Sequence, residues 1–344
     1  MTAPPITLRS LAELLAVIPH LLGFEPAHSI VVMALRDTKL SLTQRMDLPD
    51  PDRATEVAHT LARHVLKDEA EAVLLVGYET TRGESLPLLE ALSEQLRTDG
   101  IATRDRLVVH DGRWRSLDCD RPTCCPPDGR PLPAPAEVAS TLAEFVGHGS
   151  APLPNRTALA QLLEPGPAAA EFTTLLDRGR KARTTLTREQ ALRRLADVWA
   201  RILTIDTDPI SLGDVAVALQ SLTAIPVRDG IIALLVPGTL ARDALSEDVG
   251  ALLEQITDRL DAQGQGLEDA DRPAVQARLV LLCQHATDWH AAPVLTVLAA
   301  YAWWHGDGAI ARVAMDRAPR ADPGYRLARL LQLMLDERIR PDRP

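Results

Sequence analysis

Three cysteines that could hold a metal ion lie close together in the first half of the chain, at Cys119, Cys124 and Cys125. Thiolates bind zinc, but a structural zinc site uses four tetrahedral ligands, usually from two pairs, and no second pair follows here. A fourth ligand would have to come from a distant residue such as His110 or Cys283. In a chain of 344 residues, four cysteines do not make a disulfide framework. We therefore expect reduced thiols, with a metal site and a disulfide as the alternatives.

Arg45 and Asp47 form a second group with chemical potential. They lie on the charged side of a predicted strand, residues 40–48, whose other side is apolar. If a helix covers the charged side, the two charges must pair, because an unpaired buried charge costs several kcal/mol. The expectation is an internal ion pair or a solvated edge strand. The alternative is an open groove for a ligand or a partner.

Other catalytic patterns in the sequence are incomplete. Residues 77–83 leave a predicted strand and enter a predicted helix, as phosphate-binding loops do. The spacing is one residue too long, however, and Glu84 stands where such a loop needs its lysine. His59 and His64 are five residues apart and therefore point to different faces of a helix. The sequence names no reaction, leaves open whether the protein is an enzyme, and predicts no cofactor.

Basic residues are concentrated in one stretch of the second half. A charged face exposed to solvent is expected, because acidic residues lie among the basic ones and no aromatic residues are interleaved to stack on bases. The formal net charge of −10 also argues against nucleic acid as a partner. The stretch comprises Arg178, Arg180, Lys181, Arg183, Arg188, Arg193, Arg194 and Arg201.

The elements that must position these residues alternate between strand and helix in residues 1–150. Apolar runs at residues 30–35 and 72–76 predict strands that are buried on both faces. A helix predicted between residues 40–48 and 72–76 implies that these two strands pair in parallel. We therefore expect an α/β domain with a mixed sheet and crossover helices over residues 1–150.

The second half is predicted to be an all-helical domain over residues 151–344, after a linker at residues 147–154. Residues 297–311 indicate a helix, a turn bounded by glycines and a second helix. The small residues of that second helix, followed by Asp322 and Pro323, are similar to the end of a tetratricopeptide repeat. Because only one copy is clear, we expect a repeat-like helical hairpin within the helical domain.

Composition predicts a compact protein, since 46% of the residues are hydrophobic. No apolar run approaches the length of about 20 residues that a membrane-spanning helix needs. Pro4 and Pro5 occupy the region where a secretory signal carries its basic residues. We therefore expect a cytoplasmic protein without a membrane as partner.

Six segments taken together resemble the DUF4192 family, actinobacterial proteins known as a domain of unknown function. The resemblance runs through nearly the whole chain and implies a bacterial, cytoplasmic protein, with no activity, cofactor or catalytic residue to carry over. It marks Arg45, Asp47, Arg228, Asp229 and Asp307 as candidate ligand-binding or partner-binding residues, because they match the family pattern. The segments are residues 21–26 (LLGFEP), 29–32 (SIVV), 45–49 (RMDLP), 119–126 (CDRPTCCP), 226–230 (PVRDG) and 302–309 (AWWHGDGA).

Two functions are compatible with these features. The helical half, together with the incomplete catalytic patterns, predicts a non-enzymatic interaction or regulatory protein that binds an unidentified protein through its helical domain and the groove between the domains. The alternative is an enzyme, or a protein binding a nucleotide or another anionic ligand, with its site between the domains. There, Arg45 and Arg228 would clamp an anionic group, and Asp47 and Asp229 would hold a metal or act as a base.

Overall fold

The computed structural model describes residues 10–36, 39–146, 151–167, 169–181, 186–204, 209–241, 244–264, 272–337 and 339. The chain divides into two compact units, Met1–Arg156 and Thr157–Pro344. The first contains a mixed sheet with helices, and the second is helical in its described residues. The fold class expected from the sequence, an α/β part followed by a helical part, is confirmed.

The predicted linker, residues 147–154, is described only from residue 151 onward, and residues 147–150 lie outside the described residues. Its described end is attached to the first unit. The Leu153 N–H donates to the carbonyl oxygen of Gly23, and the Leu153 carbonyl oxygen accepts from the Glu25 N–H, both at 2.9 Å. Backbone pairing thus ties this segment to Phe24, opposite which Leu153 lies.

A six-stranded sheet, in the order β2-β1-β3-β4-β5-β6, organises the first unit. Strands β3 and β4 are parallel, and the other neighbouring pairs are antiparallel. The carboxyl ends of β2, β3 and β4 therefore meet at one edge of the sheet. The strands are β1 (Ser29–Arg36), β2 (Lys39–Asp47), β3 (Ala72–Glu79), β4 (Ala102–His110), β5 (Arg113–Ser116) and β6 (Arg130–Pro131).

The position of β1 differs from the sequence expectation. β2 and β3 run in the same direction, but β1 lies between them and pairs antiparallel with both. The predicted pairing of residues 40–48 with residues 72–76 is therefore wrong. β1 is buried from Ser29 to Ala34, which requires a neighbour on each side and cover on each face, whereas β2 has a charged side that an edge position tolerates.

Both faces of this sheet are covered. On one face, Ile30 and Leu75 share a core with Leu61 and Leu89, which belong to two crossover helices. On the other face, Val31 and its neighbours on β1, β3 and β4 are also fully buried. The helices of the unit are α1 (Leu11–Leu22), α2 (Ala54–Lys67), α3 (Leu86–Thr98) and α4 (Ala139–Val146).

The second unit is built around one helix. From His290 to Ala302 every residue of α12 is buried, so this helix is surrounded on all sides. Its neighbours in the unit are α8, α9, α11, α13 and α14. The helices are α5 (Arg156–Leu162), α6 (Ala169–Lys181), α7 (Arg188–Leu203), α8 (Leu212–Leu222), α9 (Ile225–Leu235), α10 (Glu247–Ala262), α11 (Arg272–His285), α12 (Asp288–Trp304), α13 (Gly308–Ala321) and α14 (Arg326–Asp336).

Within the described part of the chain, no single helix combines the length and the apolar character needed to cross a membrane. The consecutive helices α8 and α9 reach that length and composition only as a pair, with a bend of 106° between them. Both helices of this pair bury apolar side chains, among them Leu219 on α8 and Ile231 on α9.

Candidate functional site

Arg45 and Asp47 form an ion pair on β2, with 2.5 Å between the Arg45 Nη2 and Asp47 Oδ1 atoms. The Arg45 side chain is mostly buried, whereas Asp47 is exposed. The Arg45 guanidinium also donates to the Ala27 carbonyl oxygen at 3.2 Å and lies 5.7 Å from the centre of the Phe24 ring. Arg45 and Asp47 therefore pair on an edge strand with only the arginine buried, and the contacts of Arg45 fasten the segment before β1 to that strand.

Beside this ion pair lie buried polar atoms that the sequence analysis did not single out. Ser29 stands opposite Asp47 on one side and opposite Tyr78 on the other, so the three residues share a face of the sheet. The Ser29 Oγ, Tyr78 hydroxyl and Arg45 Nε atoms are buried without a hydrogen-bond partner among the described residues. Burial, with the nearby Glu25 carboxylate, raises the pKa of Tyr78. Buried polar atoms therefore lie at the carboxyl ends of β2 and β3, next to the apolar core of the sheet.

The loop from Glu79 to Ser85, at the carboxyl end of β3, is held by its own carboxylates. The buried Glu79 carboxylate accepts from the Gly83 N–H at 2.8 Å, the Ser85 N–H at 3.1 Å and the Ser85 hydroxyl at 2.6 Å. The N–H groups of Gly83 and Ser85, which a phosphate could use in this loop, are therefore already occupied. This geometry agrees with the sequence expectation of an ordinary strand-to-helix loop.

Glu84, in the same loop, should make the stability of the first unit sensitive to acid. Its carboxylate accepts from the Thr80 N–H at 2.5 Å and the Thr80 hydroxyl at 2.9 Å, and lies 3.1 Å from His28 Nδ1. Burial acts to raise the pKa of Glu84, but these hydrogen bonds outweigh it and lower the pKa to about 2 from 4.5. The stabilisation is therefore fully present above pH 4.5 and is lost as the pH falls toward 2.

We expect Glu84→Gln to lower the urea midpoint of unfolding at pH 6, and the gap between variant and wild type to narrow as the pH falls below 4.5. Urea titrations at a series of pH values, followed by tryptophan fluorescence, measure that gap. Glu71→Gln, at an exposed position before β3, is the control. A gap that stays constant from pH 6 to pH 3 would show that Glu84 does not carry this acid sensitivity.

A small cavity of about 20 Å³ opens at the carboxyl ends of β3 and β4. This is the edge at which parallel α/β sheets commonly bind ligands. Arg82 and Arg115 line it and have no ion-pair partner among the described residues, whereas Arg113 donates to the carbonyl oxygens of Asp128 and Gly129. The cavity has room for about one water molecule. In this form it is too small for a nucleotide.

The three sulfur atoms of Cys119, Cys124 and Cys125 converge in the loop between β5 and β6, all within 4.8 Å of one another. The sulfurs of Cys119 and Cys124 are 3.1 Å apart. Among the described residues, no histidine, cysteine, aspartate or glutamate joins them as a fourth member. His110 instead lies 3.4 Å from the Asp111 carboxylate, and Cys283 is buried in the helical unit.

Arg228 and Asp229, the candidates on α9, form a contact network within the helical unit. The buried Arg228 guanidinium donates to Asp229 Oδ1 at 2.6 and 2.8 Å and to the Tyr325 hydroxyl at 2.6 Å. Burial opposes its charge, but the hydrogen bonds to Tyr325 and Asp229 outweigh burial and raise the pKa of Arg228. Because Tyr325 is the residue before α14, this network fastens α9 to the start of that helix.

Asp307, the remaining candidate, caps α13. One carboxylate oxygen accepts from the Ile310 N–H at 3.1 Å, and the other accepts from the Gln276 side chain at 3.0 Å. The aspartate therefore stabilises the start of α13 and joins it to α11. These are the contacts of a residue that shapes the helical hairpin.

α14 carries a feature that the sequence analysis missed. Ala328 and Leu331 are its buried residues, whereas Leu330 and Leu333 are 56% and 57% exposed. Arg326 and Glu337, both exposed, continue the line of these two leucines at its ends, with spacings of four, three and four residues. We call Arg326, Leu330, Leu333 and Glu337 the α14 ridge. Sequence periodicity alone could not show which apolar face of this helix the unit leaves uncovered.

Three of the four arginines of the basic stretch whose side chains are described form ion pairs. Arg188, Arg193 and Arg201 form ion pairs with Asp248, Glu189 and Asp214, respectively. The side chains from Arg178 to Arg183 lie outside the described residues. The described part corresponds to the solvated, salt-bridged face expected from the sequence.

Comparison with known proteins gives one match. The model of the DUF4192 family, described as a domain of unknown function, matches residues 12–342. No curated protein and no solved structure matches the chain. A functional conclusion therefore has to be drawn from the geometry of the chain itself.

Proposed function

The chain belongs to the DUF4192 family, and we propose that it is a non-enzymatic interaction protein that binds its partner through the α14 ridge. The partner that fits the ridge is a second copy of the same chain. We further propose that the protein acts in the cytoplasm of an actinobacterium, as the family resemblance implies. The observation that carries the proposal is the exposure of Leu330 and Leu333 side by side on one helix.

Burial of Leu330 and Leu333 would favour the association of two chains. Full burial of a leucine side chain is worth about 1.5 to 3 kcal/mol, and each copy would bury the exposed half of Leu330 and of Leu333. Exposed large apolar residues are common singly, but two on successive turns of one helix form a continuous strip. Such a strip is the usual seam between two helices.

The charged residues at the two ends of the strip indicate which partner fits it. In an antiparallel pair of α14 helices, with a twofold axis midway between Leu331 and Gln332, Leu330 opposes the partner's Leu333. The same axis places Arg326 opposite the partner's Glu337. The α14 ridge is therefore complementary to itself, which is the requirement for a twofold interface. Each interface would contain two pairs of opposed leucines and two pairs of oppositely charged residues.

The helical hairpin before α14 supports the same interpretation. α12 and α13 pack against each other through small and flexible residues such as Ala311, Ala314 and Met315, all fully buried. We propose that this hairpin is repeat-like, with α14 in the place of the first helix of a next repeat. In stacked helical repeats the outer face of such a helix is covered by a further helix. The partner's α14 would supply that cover.

α14 is also held in place before any partner binds. Its start is fixed by Tyr325, which accepts from Arg228, and its end by an ion pair between Arg312 and Asp336. A binding helix that is already ordered loses less conformational entropy on association. The family-matched pair Arg228 and Asp229 thus supports the α14 ridge indirectly, by positioning the helix.

The ligand-binding alternative has less support. It requires Arg45 and Arg228 to offer donors to an anionic group. Both guanidinium groups already donate to partners within their own units, namely Ala27 and Asp47 for Arg45, and Asp229 and Tyr325 for Arg228. The interaction function is therefore the one that the geometry supports best.

Sedimentation velocity of the full chain over a range of concentrations tests the proposal. We expect a concentration-dependent dimer. Arg326→Glu and Glu337→Arg should each weaken it by about tenfold, because each replaces two opposite-charge contacts by like-charge contacts. The double variant, with the two charges exchanged, should restore the wild-type dimer. The double variant would recover only if residue 326 of one chain directly contacts residue 337 of the other.

Leu330→Glu combined with Leu333→Glu should give a monomer, because it places four carboxylates in the seam. Leu66→Glu is the matched control, since Leu66 is 44% exposed on α2 of the other unit and should leave the dimer unchanged. A wild-type chain that stays monomeric at all concentrations, or a dimer that survives the leucine variant, would rule out the α14 ridge as the site of self-association.

A further inference from the structure

The thiol cluster, Cys119, Cys124 and Cys125, is held by a loop whose backbone is fixed by the protein itself. The N–H groups of Cys124 and Cys125 donate to the Arg121 carbonyl oxygen, at 3.1 and 2.7 Å. This turn brings two thiols to the side of the third, which lies three residues after the end of β5. The convergence of the three sulfurs is therefore a property of the folded loop.

Two arginines tie the far side of the loop down. Arg113 on β5 donates to the carbonyl oxygens of Asp128 and Gly129 at 2.8 and 2.6 Å, and Arg130 donates to that of Thr123 at 3.2 Å. Gly129 has a φ of +72°, and a Cβ atom there would lie 2.9 Å from the Trp114 carbonyl oxygen. The loop therefore returns against β5 along a path that only glycine permits.

The close approach of the three sulfur atoms favours a bound cation. Three thiolates within 4.8 Å repel one another, and one bound metal ion converts that repulsion into three coordinate bonds.

The presence of a third thiol favours a metal site over a disulfide. A disulfide between Cys119 and Cys124 would leave the adjacent Cys125 sulfur without a function in the same small space. A zinc ion binds sulfur at about 2.3 Å, so tetrahedral thiolates lie about 3.8 Å apart. The Cys119–Cys124 separation, 3.1 Å, is shorter than that value, and the other two separations are at most 4.8 Å. All three sulfurs reach it with shifts of less than about 1 Å.

We propose that Cys119, Cys124 and Cys125 together bind one thiophilic metal ion, Zn²⁺ as the first choice, with the fourth coordination position left to a water molecule or another external ligand. Thiolate ligands select Zn²⁺ and Cu⁺ over harder cations. The three cysteines are only partly buried, which gives the ion and the external ligand access. The site is independent of the α14 ridge.

Metal titration of the reduced full-length protein tests the site. We expect one Zn²⁺ per chain after chelator treatment, reloading and desalting, measured by elemental analysis and by native mass spectrometry. Co²⁺ in place of Zn²⁺ should give a thiolate-to-cobalt charge-transfer band. Parallel titration with Cu⁺ under anaerobic conditions shows which of the two thiophilic ions binds more tightly. Tighter Cu⁺ binding at the same three thiols keeps the site and changes only its preferred ion.

Single serine variants at each of the three positions should weaken Zn²⁺ binding by about 100-fold or more, since even partners outside the ligand sphere cost about 10- to 100-fold. Cys283→Ala is the control, because Cys283 is buried in the helical unit and should leave the stoichiometry unchanged. Circular dichroism checks that the variants are folded. If a variant is unfolded, the metal titration of the wild-type protein alone tests the proposed site.

Two results would overturn the proposal. One is a reduced wild-type protein that retains no Zn²⁺, Co²⁺ or Cu⁺ after desalting. The other is Zn²⁺ bound equally well by wild type and by a folded Cys125→Ser variant, because the third thiol would then not be a ligand. A wild-type mass 2 Da below that of the reduced chain, with no metal uptake on reduction, would assign the cluster to a disulfide instead.

Discussion

Replacement of Arg317 by alanine is expected to destabilise the helical unit by about 3 to 5 kcal/mol. The buried Arg317 guanidinium, on α13, donates to the carbonyl oxygens of Leu163, Cys283 and Ala286, the last two at 2.9 and 2.5 Å. These carbonyls follow α5 and end α11, so they have no next helical turn to accept from. Alanine would remove this donor from the Leu163 and Ala286 carbonyls in a site closed to water, whereas the Cys283 carbonyl would keep the Ala286 N–H at 3.2 Å.

The charge of Arg317 explains why the cost should be large. Burial lowers the pKa of Arg317, and its nearest carboxylate, on Glu164, is 3.9 Å away. The carbonyl dipoles at the ends of two helices therefore provide much of the stabilisation of this cation. The side chain joins α5, α11 and α13, and its removal loosens all three helices together.

Urea unfolding followed by circular dichroism measures this effect. Arg320→Ala is the matched control, because Arg320 lies on the same helix and is 63% exposed while pairing with Glu164. An exposed pair of this kind is worth about 0 to 1 kcal/mol. Equal losses of stability in the two variants would show that Arg317 contributes no more than a surface ion pair.

Gly77→Ala is expected to destabilise the first unit by about 3 kcal/mol. A Cβ atom at Gly77 would lie 2.2 Å from Ser85 Oγ and 2.6 Å from Ser85 Cβ. Ser85 cannot turn away easily, since its hydroxyl and its N–H both donate to Glu79. The glycine at the start of this apparent phosphate loop is thus required for strand-to-helix packing.

Thermal and urea unfolding of Gly77→Ala measure the loss. Gly250→Ala is the control, because Gly250 lies within α10 with nothing within 4 Å of its Cβ position. An alanine there should stabilise the protein by about 0.5 to 1 kcal/mol. Combining Gly77→Ala with Ser85→Gly removes the collision and should recover part of the loss. A double variant no more stable than Gly77→Ala would argue that the collision is not the cause.

Much of the local structure followed from the sequence. Thr187 and Gln190, which have the spacing of a capping box, form one at the start of α7. Asp111 and Gly112, a residue pair typical of tight hairpins, both have positive φ, at 49° and 69°, as such a turn requires. Such features depend on residues within four positions of each other, and for that reason they can be recognised in the sequence.

Contacts between residues far apart in the chain could not be predicted from the sequence in the same way. The sequence showed that residues 30–35 form a strand buried on both faces, but not that β1 separates β2 from β3. It showed the charged side of β2, but not that Phe24 and Ala27 would receive Arg45. Periodicity reports which side of an element is apolar and is silent on which neighbour covers it.

The sequence by itself determined the family, the order of an α/β unit and a helical unit, and the positions of strands β1, β2 and β3. Only the tertiary structure decided which side chains meet. It brought the thiols of Cys119, Cys124 and Cys125 together, gave Arg228 a partner in Tyr325, and left Leu330 and Leu333 exposed on α14. The physical reason is that backbone propensity acts over a few residues, whereas burial and convergence depend on packing between elements far apart in the chain.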